Sequence, residues 1–102
     1  MTVAYVIGFK VRPQQQDRFM QLLTGVLDAM REERMFVSAT LHEDPTAPNR
    51  FLLHEVWQDH QDVLDVQMSR PYRQAWHDAL PDLLDGPREV SIWTPIRTDR
   101  RG

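Results

Sequence analysis

Apolar and polar positions along the chain change period several times, and each change marks an element. Residues 3–11, VAYVIGFKV, alternate with period two, placing Val3, Tyr5, Ile7, Phe9 and Val11 on one face, as a strand requires. Pro13 follows and suits a helix start, where its missing N–H costs nothing. From Gln14 to about Arg34 the apolar residues are Phe19, Leu22, Leu23, Val26, Leu27 and Met30. That spacing predicts an amphipathic helix with one buried stripe. Residues 35–43, MFVSATLHE, return to strand character. Asp44-Pro45-Thr46-Ala47-Pro48-Asn49 is a turn cluster, and residues 51–57, FLLHEVW, form a third strand paired with the second in an antiparallel hairpin. Asp59 caps a short helix carrying Val63, Leu64 and Met68. Ser69 precedes another helix with the stripe Tyr72, Ala75, Trp76, Ala79 and Leu80, which Pro81 weakens or ends. Residues 88–96, REVSIWTPI, close the chain as a strand, with Pro95 marking an edge position or the strand's end.

The order βαββ(αα)β predicts an α+β fold, ferredoxin-like, in which a four-stranded antiparallel sheet carries helices on one face. No repeat, low-complexity segment or linker divides the 102 residues, so one domain over 1–102 is expected. The third strand complicates this picture. One parity holds Phe51, Leu53, Glu55 and Trp57, the other Leu52, His54 and Val56, so both faces are largely apolar and each carries an ionisable group. Helices cover one face. A broad apolar patch on the other is not usually left in water. Two sheets packed face to face would hide it, which predicts a C2 homodimer, a dimeric α+β barrel. Unfilled space between sheet and helices then becomes a pocket.

Composition narrows the function. The net charge is −3, and the only basic cluster is the tail from Arg97 to Arg101, so nucleic acid is not an expected partner. No apolar run is long enough to cross a membrane, and the N-terminus lacks a signal-peptide pattern. The absence of cysteine removes disulfides, thiolate metal sites and a cysteine nucleophile, and fits a cytoplasmic protein. Eleven of the twelve basic residues are arginine, a codon-usage hint of a GC-rich bacterial genome.

Several residues are candidates for chemistry, and each also has a plain structural reading. Trp57 ends the third strand, where its indole N–H either donates to a ligand oxygen or satisfies a core partner. His77, next to Trp76, titrates near neutrality and is a candidate general base or a surface histidine. His54 is a second candidate base or a hydrogen-bonded structural histidine. Glu55 is costly to bury alone, so it accepts hydrogen bonds or pairs with Arg73 or Arg50. Tyr72, Trp76, Tyr5, Phe9 and Trp93 line a flat aromatic pocket or belong to the core. No G-x-G-x-x-G or Walker loop is present. The histidines His42, His54, His60 and His77 lack metal-ligand spacing, so neither cofactor nor metal is expected.

The segment FLLHEVWQDHQDVLDVQMSRPYRQAW resembles the signature region of the antibiotic biosynthesis monooxygenase (ABM) family: an apolar strand ending in Glu55-x-Trp57, a short helix, then a Ser-x-x-aromatic helix. The likeness runs over essentially the whole chain in element order. The tail LPDLLDGPREVSIWTP is further similar to small cofactor-independent oxygenases that convert anthrones to quinones. The resemblance implies a dimer and O2 chemistry on a phenolic, anthrone or quinol-type substrate, with Trp57 as donor and His77 or His54 as base. Tyr72, Trp76, Arg73, Phe9 and Glu55 would stand around the substrate. The chain departs from the pattern in places. Short-helix and next-helix histidines of relatives are replaced by Val66 and Pro71. The anthrone oxygenases' asparagine and tyrosine fall at Leu53 and Val63, and their last-helix arginine at His77. The haem-degrading members' tryptophan and histidine fall at Val66 and Trp76, so haem cleavage is not implied. Two other readings stay open: an isomerase or lyase of a small metabolite on the same scaffold, and a non-catalytic dimeric module that binds a small molecule or serves stress response.

Overall fold

The alternation at the N-terminus becomes strand β1 (Val3–Lys10), and Pro13 opens a 3-10 turn over Pro13–Gln15 that leads into helix α1 (Gln16–Met30). The computed structural model describes residues 1–102. The remaining elements are β2 (Phe36–Glu43), β3 (Arg50–Trp57), α2 (His60–Asp65), α3 (Gln74–Leu83) and β4 (Glu89–Trp93), with 3-10 turns over Gln67–Ser69 and Pro71–Arg73. All four strands are antiparallel, in the order β2-β3-β1-β4. The expected ferredoxin-like architecture is therefore the one observed, with FLLHEVW in the sheet interior and the last strand at an edge.

Three boundaries differ from the periodic reading. The first helix stops at Met30 rather than near Arg34, because Arg31-Glu32-Glu33-Arg34 offers no apolar side chain to pack. The Glu32 and Glu33 amides instead turn back to the Ala29 and Met30 carbonyls. Of Val63, Leu64 and Met68, assigned to one short helix, Val63 is buried and the other two are about half exposed. The helix ends at Asp65, and the following 3-10 turn rotates Gln67 inward. Pro81 does not end its helix: α3 runs through it to Leu83. Pro81 leaves the His77 carbonyl without its helical donor, while burial of Trp76, Ala79 and Leu83 holds the turn in place.

The core lies between one sheet face and the helices. Val3, Tyr5, Ile7, Phe9, Leu53 and Trp57 meet Phe19, Leu23, Val26, Met30, Trp76, Ala79 and Leu83. Its aromatic centre is Phe19, whose ring lies 5.2 Å from Phe9, 5.0 Å from Phe51 and 5.6 Å from Trp76. The opposite face carries Val6, Leu52, His54, Val56 and Trp93, with no element of the chain over it. Leu52 and Trp93 are 40% and 60% exposed. On the helix side the cover is also incomplete. Register places Val90 opposite Ile7 and Ile92 opposite Tyr5, yet both β4 residues are more than half exposed. No helix is long and apolar enough to cross a membrane.

The end of α3 is tied to the end of β1. Val11 and Leu84 form an isolated bridge, the Arg12 amide donates to the Leu83 carbonyl at 2.9 Å, and the Asp85 amide to the Lys10 carbonyl at 2.7 Å. Gly86 then takes φ +107°, a conformation open to glycine, and Pro87 leads into β4. This knot sets Arg12, the last turn of α3 and Arg88 side by side. Truncating the fully buried Phe19 to alanine is expected to cost about 3–5 kcal/mol, whereas Leu64→Ala should stay within about 0.5 kcal/mol. Urea unfolding midpoints at unchanged slope measure both, and equal losses would contradict the placement of the core.

Candidate functional site

Strand parity places Glu55 and Trp57 together on the helix-covered side of β3, and both are buried. Their side chains satisfy each other: the Trp57 indole N–H donates to Glu55 Oε1 at 3.0 Å. Of the two readings of this donor, a ligand oxygen or a core partner, the structure shows it on a partner within the protein. Trp57 is closed in by Phe36, edge-on at 5.4 Å, and by the Arg73 guanidinium, 5.8 Å from its ring centre. The same guanidinium lies 5.6 Å from the Tyr72 ring, a cation–π arrangement on two aromatics. Arg73 is buried, and its Nε–H has no hydrogen-bond partner.

Burial pushes the Glu55 carboxyl above its ordinary value, against the opposing pull of the Trp57 hydrogen bond and the positive Arg73 and Arg88 side chains. Across the strand pair, Tyr5 stands opposite Glu55, and its hydroxyl meets His60 Nδ1 at 2.6 Å. Burial, reinforced by Glu55 and Asp59, raises the Tyr5 phenol. His60 is held there because Asp59 caps α2, its carboxylate accepting from the Asp62 amide at 3.1 Å.

His77 lies on the exposed shoulder of α3 and opens into a groove of about 390 Å³ lined by Arg12, Leu80, Leu84, Pro87 and Arg88 among others. Burial, then the positive fields of Arg88 and Arg73, hold its imidazole below the ordinary histidine range. It is therefore neutral at physiological pH and able to accept a proton. Arg88 joins the two regions: it lines the groove, and its charge is felt at Glu55 and at His77. The molecule's larger recess, about 870 Å³, lies on the bare sheet face, where Lys10 and Arg50 alternate with Glu43, Asp44, Asp85 and Glu89. Its charges are mixed and its walls open, so the smaller groove is the better chemical site.

The sequence candidates are brought together only in part. Trp57, Glu55 and Arg73 form one buried group flanked by the half-buried Tyr72, with His77 in a groove along α3. His54 stands on the other side of the sheet, paired across strands with Val6 and Thr40, so one site within the chain cannot use both histidines. Phe9 and Trp76 face each other in the core at 5.8 Å and do not line the His77 groove. Arg50 pairs with Asp44 at 3.6 Å rather than with Glu55. The groove lies along the last turns of α3 and the turn that follows it, lined by His77, Leu80, Pro81 and Leu84. Arg12, Arg88 and His60 carry no sequence signal for these positions, since a turn and two chain reversals deliver them. No cluster of three or more histidine or acidic side chains is arranged to hold a metal ion.

The profile of the antibiotic biosynthesis monooxygenase family matches residues 2–79, and the chain belongs to that family. Among curated proteins it is similar to an uncharacterised protein of Synechocystis sp., 33% identical over 91 residues, which cover 89% of this chain and 61% of that relative. The chain thus spans less than two thirds of that protein's length. Among solved structures, Rv0793 of Mycobacterium tuberculosis superimposes with a TM-score of 0.87 at 22% identity, covering 98% of this chain and 100% of that one. SnoaB, a cofactor-independent oxygenase from Streptomyces nogalater solved as a point mutant, gives 0.81 at 23% identity over 95% of each chain. At such identities these likenesses establish the fold.

The buried carboxyl makes stability pH-dependent. Because the folded state holds Glu55 above its ordinary 4.5, its contribution is full below that value and is lost as pH rises through the raised one. Glu55→Gln keeps an acceptor for Trp57 and has no charge to bury. Thermal unfolding between about pH 4 and pH 8 should show a flatter decline and a higher neutral-pH melting temperature for the variant. A wild-type slope in Glu55→Gln would contradict the assignment.

Proposed function

We propose that the chain is a cofactor-independent monooxygenase that oxidises a small phenolic, anthrone or quinol-type aromatic with O2. The observation that carries this reading is that His77 and Arg88 line one groove with apolar walls; burial and the positive Arg88 and Arg73 hold the His77 imidazole below its ordinary range. Family membership and the fold shared with an oxygenase of that type support it. His77 is the base that takes the substrate's acidic C–H or O–H proton. Arg88 and Arg73 stabilise the phenolate or carbanion that forms, as preorganised charge does for a developing oxyanion. Trp57 acts indirectly, by holding Glu55 in place beneath the two arginines.

The electrons come from the substrate. For an anthrone, the deprotonated carbon passes electrons to O2 in one-electron steps and forms a C–O bond. The peroxide anion takes the proton back from His77, and the resulting hydroperoxide loses water, leaving a carbonyl. Methylene plus O2 gives carbonyl plus water, and the atoms balance. Purified protein under air should convert dithranol to the quinone without added flavin or metal. His77→Ala should slow this about 100-fold or more. In the wild type kcat/KM should rise through an apparent pKa below 6.5, the ordinary histidine value, and level off at neutral pH. Wild-type rates in His77→Ala, or no oxidation of any anthrone or quinol, overturns the reading.

We also propose that a second copy of the chain covers the bare sheet face. Val6, Leu52, Val56 and Trp93 form an apolar surface on interior and edge strands that lacks any cover within the chain. Light scattering at micromolar concentration should give twice the 12.0 kDa chain mass, and Leu52→Asp should halve it. A wild-type particle of one chain mass overturns the dimer.

A further inference from the structure

The groove beside His77 differs in charge from the rest of the molecule. The chain is acidic overall, with 15 aspartates and glutamates and net charge −3. Yet the groove is lined by Arg12, His77 and Arg88 together with Leu80, Pro81, Leu84, Gly86 and Pro87, and by no carboxylate. Arg31, Arg50, Arg70 and Arg97 each have an acidic partner within 4.0 Å. The other seven of the eleven arginines, Arg12 and Arg88 among them, have none, and these two are the ones that share a groove. Behind them lies Arg73, buried, with its Nε–H unpartnered. The nearest acid felt by Arg88, Glu55, already accepts from Trp57.

The backbone enforces this crowding of positive charge. Arg12 is pinned to α3 by its amide bond to the Leu83 carbonyl, and the Gly86–Pro87 turn returns the chain so that Arg88 shares the same groove. Arg88 is partly buried with the positive Arg73 near it, while Arg12 stands exposed at the rim of the groove; a partly desolvated cation beside another is unfavourable until an anion joins them. A forked guanidinium is also the side chain best shaped to take a carboxylate through two parallel hydrogen bonds. Leu80, Pro81 and Leu84 supply an apolar wall beside the two arginines.

We propose that the ligand of this groove is an anionic aromatic, with its ring system against Leu80, Pro81 and Leu84 and a carboxylate held by Arg12 and Arg88. The proposal deepens the monooxygenase reading, on which it rests for treating this ligand as the substrate. The anion site itself is testable without turnover.

Rhein and chrysophanol share a dihydroxyanthraquinone ring and differ by carboxylate against methyl. Absorbance titration of the wild-type protein at low salt should show rhein binding at least about tenfold more tightly, a margin typical of a charge-assisted pair. Added salt should narrow the preference. Arg12→Gln and Arg88→Gln should each reduce it, and the double variant abolish it, with thermal unfolding confirming that each variant folds. Arg88→Lys should restore part of it. Equal affinity for the two ligands, binding of neither, or a preference that survives in the folded double variant overturns the proposal. Oxidation of dithranol without any preference for rhein keeps the oxygenase and overturns the anionic ligand. A rhein preference that follows the arginines, with no oxidation of dithranol or of the anthrone of rhein, keeps the anion site and overturns the oxygenase.

Discussion

A four-stranded sheet has two faces, and this chain supplies helices for only one of them. Nearly every other feature follows from that limit. The residues of β3 that point toward the helices, Leu53, Glu55 and Trp57, are buried, and those that point away stay partly open. One of the buried three is a carboxylate. It is tolerated because the indole N–H two residues along the same strand can reach it and because two guanidinium groups stand near. An unpaired carboxylate in that place would be far costlier, so Trp57 and Glu55 act as a unit that anchors the edge of the core nearest the chemistry.

The positive charge around that unit gives the site its character. Arg73 lies over two aromatic rings and Arg88 enters from the turn before β4. Burial and then both guanidinium groups act on His77 and drive it toward its neutral form. In the proposed reaction His77 would be the base and the same cations would receive the negative charge that appears on the substrate. Proton removal and charge stabilisation would then come from adjoining elements, the shoulder of α3 and the loop that follows it.

Much of the framework was legible in the order of residues. Period-two runs and the Phe19-to-Met30 stripe located the strands and the long helix, and the parity of FLLHEVW separated Glu55 and Trp57 from His54. Local rules were weaker where packing overrode them. Pro81 was absorbed by its helix because the side chains around it are buried. Gln67 rather than Met68 turns inward because a 3-10 turn changes the period from 3.6 to 3. Of the site, Glu55, Trp57 and His77 could be singled out by type and strand position. Arg12, Arg88 and His60 could not, since nothing adjacent to them in sequence distinguishes them from other surface residues.

The sequence by itself determined the order of the elements and the two-sided nature of the third strand, because hydrophobic periodicity and turn residues act over a few neighbours. Only the tertiary structure showed that the Trp57 indole donates to Glu55. It alone brought Arg12, His77 and Arg88 around one groove. Those contacts join residues up to about 76 positions apart through chain reversals at Leu84, Gly86 and Pro87, and a burial pattern written in periods of two and 3.6 holds no record of them.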